Sequence, residues 1–123
     1  MKYNLTITAF LGSLTIILGA FGAHALKDKL DPEALKSFET GVRYMMYHVI
    51  VLLFVNSYAG FTVKEKNITS YLFFLGILFF SGSIFAITFG IPAKSIWFIT
   101  PLGGLFFIIG WLNMFYIFLN SKK

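Results

Sequence analysis

The chain has 123 residues, of which 58% are hydrophobic, 20% aromatic and only 12% charged, with a formal net charge of +5. A water-soluble domain is nearer half apolar and a quarter charged, so this composition points to the bilayer as solvent. The absence of cysteine excludes disulfides and thiolate chemistry, and basic residues scattered at the ends of apolar runs argue against a nucleic-acid-binding face.

The first apolar run, residues 5–23, carries no charge. It is long enough for a hydrocarbon core of about 30 Å at about 1.5 Å per residue. Lys2, this run and Ala23-His24-Ala25 also fit a secretory leader with a small-residue cleavage site. The run is longer than a usual leader core, so it reads as a first span at about 5–25.

An elbow follows. Asp31-Pro32-Glu33 is a helix start, with an N-cap, proline at the first position and a carboxylate in the first turn. Leu35, Phe38 and Val42 fall on one helical face, while Lys36, Ser37, Glu39 and Thr40 point elsewhere. This predicts a short amphipathic helix at about 31–41, lying in the membrane interface. Gly41 is the expected bend, and Glu39 could pair with Arg43 four residues on.

The second span is expected at about 42–62. From Asn67 to Ser121 the only charge is Lys94. A lysine at a helix centre costs roughly 2.5–3.5 kcal/mol on insertion scales, so Lys94 belongs in a turn. Gly90 can end a helix and Pro92 cannot continue one. The stretch therefore divides into spans at about 70–90 and 97–119. Thr100-Pro101 reads as an N-cap with proline in the first turn; a helix starting at Trp97 would instead be kinked by Pro101. Tyr3, Tyr44, Tyr58, Tyr71, Trp97 and Tyr116 fall near these span ends, where amphipathic rings favour the headgroup zone.

The expected fold is thus an all-α, single-domain membrane four-helix bundle over residues 1–123. With four spans, Lys2, Lys64, Lys66, Lys122 and Lys123 share one side. Lys27, Lys29, Lys36, Arg43 and Lys94 share the other, where Asp28, Asp31, Glu33 and Glu39 neutralise them. The balance favours both termini in the cytoplasm.

Small residues let helices approach in lipid. Gly82, Ala86 and Gly90 form a ladder on the third span. Gly12, Gly19 and Gly22 share a face of the first, and Gly103 and Gly110 repeat the spacing of seven in the fourth. Packing within the bundle is the plain reading, and a subunit interface in a homo-oligomer the sharper one.

Both histidines flank the elbow. His24 ends the expected first span, and His48 lies just over a turn inside the second. An ionisable residue within a span is a functional candidate, and neutral imidazole binds haem iron. The plain alternative is that both rings face protein and stabilise the corner by hydrogen bonds. Arg43, Tyr44 and Tyr47 join them as candidates, because a tyrosine–histidine contact and a cation–π contact are open at these spacings. No carboxylate lies within an expected span, which counts against an ion-coupled carrier. No catalytic triad, metalloprotease motif or phosphate-binding glycine loop is present, so no catalytic residue and no metal ligand set is assigned.

The runs Gly19-Ala20-Phe21-Gly22-Ala23-His24, Phe38-Glu39-Thr40-Gly41-Val42-Arg43-Tyr44 and Tyr47-His48 are similar to the domain of unknown function 423 family. Thr100-Pro101-Leu102-Gly103-Gly104 and Gly110-Trp111 fit the same pattern. These are UPF0382-type small multi-pass bacterial membrane proteins, related to an animal transmembrane protein. The resemblance implies a multi-pass protein of about this size in a bacterial plasma membrane and supports the four-span reading, and it carries no established activity or site residue. Three functions stay open. One is a non-enzymatic bundle that binds lipid or a partner, without cofactor and without nucleic acid. Another is a redox module with His24 and His48 holding haem or shaping a quinone pocket. The third is a small pore or carrier lined by Asn56, Asn113 and hydroxyls.

Overall fold

The structure, a computed structural model, describes residues 2–121, and residue 2 by its backbone alone. The side chains of Lys2, Lys122 and Lys123, which entered the orientation argument, therefore lie outside the described residues.

Among the described residues, four apolar helical stretches are long enough to cross a bilayer: Tyr3–Leu26, Pro32–Ser57, Val63–Thr88 and Ala93–Leu119. The first is α1 (Lys2–Phe21), which widens into a π-helical turn at Gly22–Leu26. The second is α2 (Pro32–Ser57). The third is α3 (Val63–Gly76), a π-helical turn at Ile77–Ser81, and α4 (Gly82–Thr88). The fourth is a short α5 (Ala93–Ile96) followed by α6 (Ile99–Leu119). The all-α membrane architecture is as expected from composition.

The helix ends show which sequence signals acted. Asp31 caps α2, its carboxylate accepting from the Ala34 N–H at 2.8 Å. Gly90 has a φ of 119°, which only glycine adopts without strain. It closes α4 as a Schellman turn: Ile91 N–H bonds Ala86 O at 3.0 Å and Gly90 N–H bonds Ile87 O at 3.2 Å. The start of α3 lies earlier than expected. Thr62 and Glu65 form a capping box, with bonds of 3.1 Å and 2.8 Å, so the third span begins at Val63. The turn between spans two and three is therefore 58–62, ahead of the 63–69 left between the expected spans. Thr100 does not cap α6, whose N-cap is Phe98; its hydroxyl pairs with Ser83 across the interface with α4. Pro101 sits in the first turn, where its missing N–H costs nothing.

The amphipathic segment 31–41 is helical but continuous with the second span. Gly41 makes no corner. Breaking a helical ladder beside the hydrocarbon would leave backbone groups unpaired, and the hydrogen-bonded course continues through it. Its bare surface instead admits the third span: Ser81 Oγ donates to Gly41 O at 2.7 Å, and a Cβ there would stand 3.0 Å from the Phe85 ring. At 26 residues α2 is about 39 Å long, beyond the ~30 Å hydrocarbon thickness, so its first turns project past the apolar zone. Phe38 in this projecting part is fully buried, covered by Phe85 and Phe89 at ring distances of 5.2 Å and 6.3 Å.

α1 packs antiparallel on α2 in constant register. Gly22 faces Phe38, Gly19 faces Val42, Gly12 faces Val49, and Asn4 bonds Asn56. The third and fourth spans are likewise antiparallel, with Phe80 against Gly103, Phe107 against Gly76 and Phe73 against Gly110. At Gly22, Gly76, Gly103 and Gly110 a ring or backbone occupies the volume that a side chain would need, while Gly12 and Gly19 meet valine methyls at 3.4 and 3.5 Å. Van der Waals packing of this kind is what holds helices together where no hydrophobic effect separates them from lipid.

Candidate functional site

His48 lies at the centre of the bundle and is buried. The register makes it the seventeenth residue of the 26 in α2, far from the elbow. Its ring stacks on Phe107 at 3.7 Å and 6°, with Phe73 at 5.2 Å and Trp111 at 6.1 Å. The Trp111 indole can only donate, and its Nε1 lies 3.1 Å from His48 Nε2, so Nε2 accepts. Nδ1 therefore carries the proton and donates to Tyr44 O at 2.7 Å. One nitrogen donating and one accepting is the pattern of neutral imidazole. Both nitrogens are engaged, so coordination of iron would have to break one of these bonds.

His24 is placed differently from expectation. It is exposed on the π-helical turn Gly22–Leu26. The α1–α2 register sets it opposite residues 36–37, about eleven to twelve residues from the level of His48, or roughly 17 Å along the axis. The two rings do not share a depth, and they do not jointly brace the corner. A bis-histidine haem needs both nitrogens about 2 Å from one iron, which this separation does not offer within one chain. Among the described residues no three His, Cys, Asp or Glu side chains cluster tightly enough for a metal ion.

The remaining candidates also resolve. Arg43 is exposed and reaches Thr40 Oγ1 at 3.4 Å rather than Glu39 or the Tyr47 ring. Tyr44 meets His48 through its carbonyl, while its ring lies 5.6 Å from Tyr47 and 5.2 Å from Phe80. Of the glycines, Gly12, Gly19, Gly22, Gly103 and Gly110 pack within the bundle. Gly82 has only loose neighbours at 3.8 Å and beyond, Gly90 has none within 4 Å, and Ala86 between them is half-buried.

A polar layer that spacing alone did not reveal closes the end of the bundle nearest the termini. Asn4 donates to Asn56 at 3.1 Å and to Asn67 at 3.0 Å. Asn56 donates to Ser70 at 2.8 Å and to Leu52 O at 2.9 Å, and Asn113 donates to Thr69 at 2.8 Å. This ties all four spans together. Among the described residues no buried side-chain nitrogen or oxygen lacks a partner. Asn56 is 1% exposed, so it is a joint between helices and not the wall of an open path. Its signal in the sequence is that Asn56 and Asn113 each sit about two turns inside an apolar run and need a partner there, whereas Asn4 and Asn67 stand at the edges of theirs.

Two lateral openings flank the α1–α2 seam. On one side α1 and the third span, joined at Asn4–Asn67, leave a cleft of about 380 Å³ lined by Ile7, Leu11, Leu14, Leu18, Leu78 and Gly82. Ser81 also lines it, but its hydroxyl is directed to Gly41 O. On the other side two joined depressions of about 460 and 310 Å³ share Gly19, Val42 and Arg43. Neither histidine lines these openings.

With this geometry in view, the comparisons are consistent. Residues 18–104 match a family model described as "Protein of unknown function (DUF423)". The chain is 39% identical over 122 residues to a UPF0382 membrane protein of Haemophilus influenzae, covering 99% of this chain and 97% of that relative. It is 38% identical to a UPF0382 membrane protein of Staphylococcus haemolyticus, over 93% of each chain. The UPF0382 membrane protein YwdK of Bacillus subtilis is also 38% identical, over 91% of this chain and 92% of its own length. No solved structure matches the chain.

Proposed function

The chain belongs to the DUF423 family, and on that footing we propose that this integral membrane protein is a non-enzymatic bundle that holds the acyl chain of a bilayer lipid. The observation that carries the reading is the cleft between α1 and the third span. Its walls are hydrocarbon, its one hydroxyl is already bonded, and Gly82 leaves its floor open. An apolar recess at membrane depth fills with apolar material, and lipid tails are the material at hand. A polar substrate would find no partner there.

A phospholipid with a photoactivatable diazirine in its acyl chain tests this. Cross-links should concentrate on Leu11, Leu14, Leu18 and Leu78, and Gly82→Leu should deplete them. Labelling spread evenly over all exposed helix faces would remove the proposal. A second copy is the competing occupant. Because the chain has no cysteine, Gly82→Cys is a clean probe, and disulfide-linked dimers in the membrane would replace lipid with protein in this cleft.

A further inference from the structure

The second opening differs from the first in carrying charge. Its inner part is apolar, with Ile16, Ala20, Met46 and Tyr47 around Gly19. Its outer part holds Arg43 and, one turn further toward the elbow, Glu39. These two side chains are spaced for an i,i+4 ion pair. They do not form one: Arg43 has only the long bond to Thr40, and both side chains are exposed on the groove. Arg43 is also the last charge before the uncharged part of α2, Tyr44–Ser57, so it stands where headgroup phosphates meet the hydrocarbon.

We propose that this groove binds a phospholipid bearing a primary amine. The phosphate sits on the Arg43 guanidinium, the ammonium on the Glu39 carboxylate, and one acyl chain lies over Gly19 and Ala20. The order of charges matches the ligand: phosphate nearer the apolar zone, amine one turn further out. A guanidinium fork suits phosphate oxygens, and charge-assisted bonds of this kind are the strong ones. An anionic lipid without an amine would satisfy Arg43 and meet repulsion from Glu39. The proposal extends the lipid-binding reading to a second, separate groove.

Native mass spectrometry of the full chain in mild detergent provides the test, with phosphatidylethanolamine and phosphatidylglycerol of identical chains as probes. The parent should retain phosphatidylethanolamine in preference. Arg43→Gln should lower retention of both lipids about tenfold, as loss of a charge-assisted bond implies. Glu39→Gln should abolish the preference while leaving phosphatidylglycerol retention unchanged or raised. Both residues are exposed and lie outside the packed core, so melting temperatures should stay near that of the parent. Ala20→Trp, which fills the groove from an exposed position, should reduce both lipids. Gly82→Leu, in the other cleft, should leave the preference intact, which separates failure of one groove from failure of the other. Equal retention of the two lipids by the parent, or unchanged retention by Arg43→Gln, overturns the proposal.

Discussion

Trp111 donates its indole N–H to His48 Nε2 at 3.1 Å, joining α6 to α2 near the middle of the membrane. The bond settles which nitrogen of His48 carries a proton and leaves neither free. Trp111→Phe keeps most of the ring volume and removes the donor, so it isolates this bond. Interhelical hydrogen bonds in membranes average well under 2 kcal/mol, so the expected loss of stability is about 1 kcal/mol. His48→Ala also empties space between Phe73 and Phe107, and should cost about 3 kcal/mol. Thermal unfolding in detergent reads both. Equal melting temperatures for parent and Trp111→Phe would show that the bond contributes nothing.

The purified parent should show no Soret band. The reason is geometric: His24 and His48 lie roughly 17 Å apart along the bundle axis, and both nitrogens of His48 are bonded. An absorption band near the Soret position that disappears in His48→Ala would revive the haem reading, with a ligand from a second subunit replacing His24.

Glycine spacing predicted helix contacts but not which glycines are closed. A Cβ on Gly110 would stand 2.6 Å from the Phe73 ring, and one on Gly103 would collide with the backbone of Phe80. Gly103→Ala should therefore cost about 2–3 kcal/mol, because backbone cannot turn aside as a side chain can. Gly82→Ala meets nothing closer than 3.8 Å and should be neutral or stabilise by about 0.5–1 kcal/mol through helix propensity. The ranking is the test: if the two variants melt alike, the third and fourth spans are not packed as described.

These contrasts also show what the sequence could convey. Charge-free length located four spans, and Asp31, Gly90 and Pro92 marked helix ends because caps are local chemistry. Gly41 was misread as a bend because glycine serves both corners and close approach, and only Ser81 and Phe85 across the interface decide between them. His48 was recognised as a candidate, but its partner Trp111 is 63 residues away and no periodicity links them. Arg43 was visible as an isolated charge, and the groove beside it depends on the α1–α2 register. Long-range pairing, not local preference, is the part that was hidden.

Topology can be checked on the cysteine-free background. Asp28→Cys lies in the connection after the first span and Lys94→Cys in α5, the short helix rather than turn that opens the fourth, both at one end of the bundle, whereas Lys64→Cys lies at the start of α3, at the other. All three positions are exposed. An impermeant maleimide should label the first two alike from one side of the membrane and Lys64→Cys from the opposite side. Labelling of all three from one side would break the four-span arrangement.

The asparagine layer separates a structural joint from a pore lining. Asn56 bonds Asn4, Ser70 and the Leu52 carbonyl, and is 1% exposed. Replacing it with alanine removes its bonds to Asn4 and Ser70, leaving Asn4 only Asn67 as a side-chain partner, and opens a small void, so a loss of about 1–3 kcal/mol is expected. Asn67→Ala removes only the Asn4–Asn67 bond, with Asn4 still tied to Asn56, and should cost less. A pore lining predicts a different pattern, in which shortening Asn56 enlarges a water path and raises ion flux. Proteoliposomes loaded with a fluorescent ion indicator distinguish them: a joint gives lower melting temperature with background flux in parent and variant alike. Flux in the parent that scales with side-chain size at position 56 would identify the layer as a conduit.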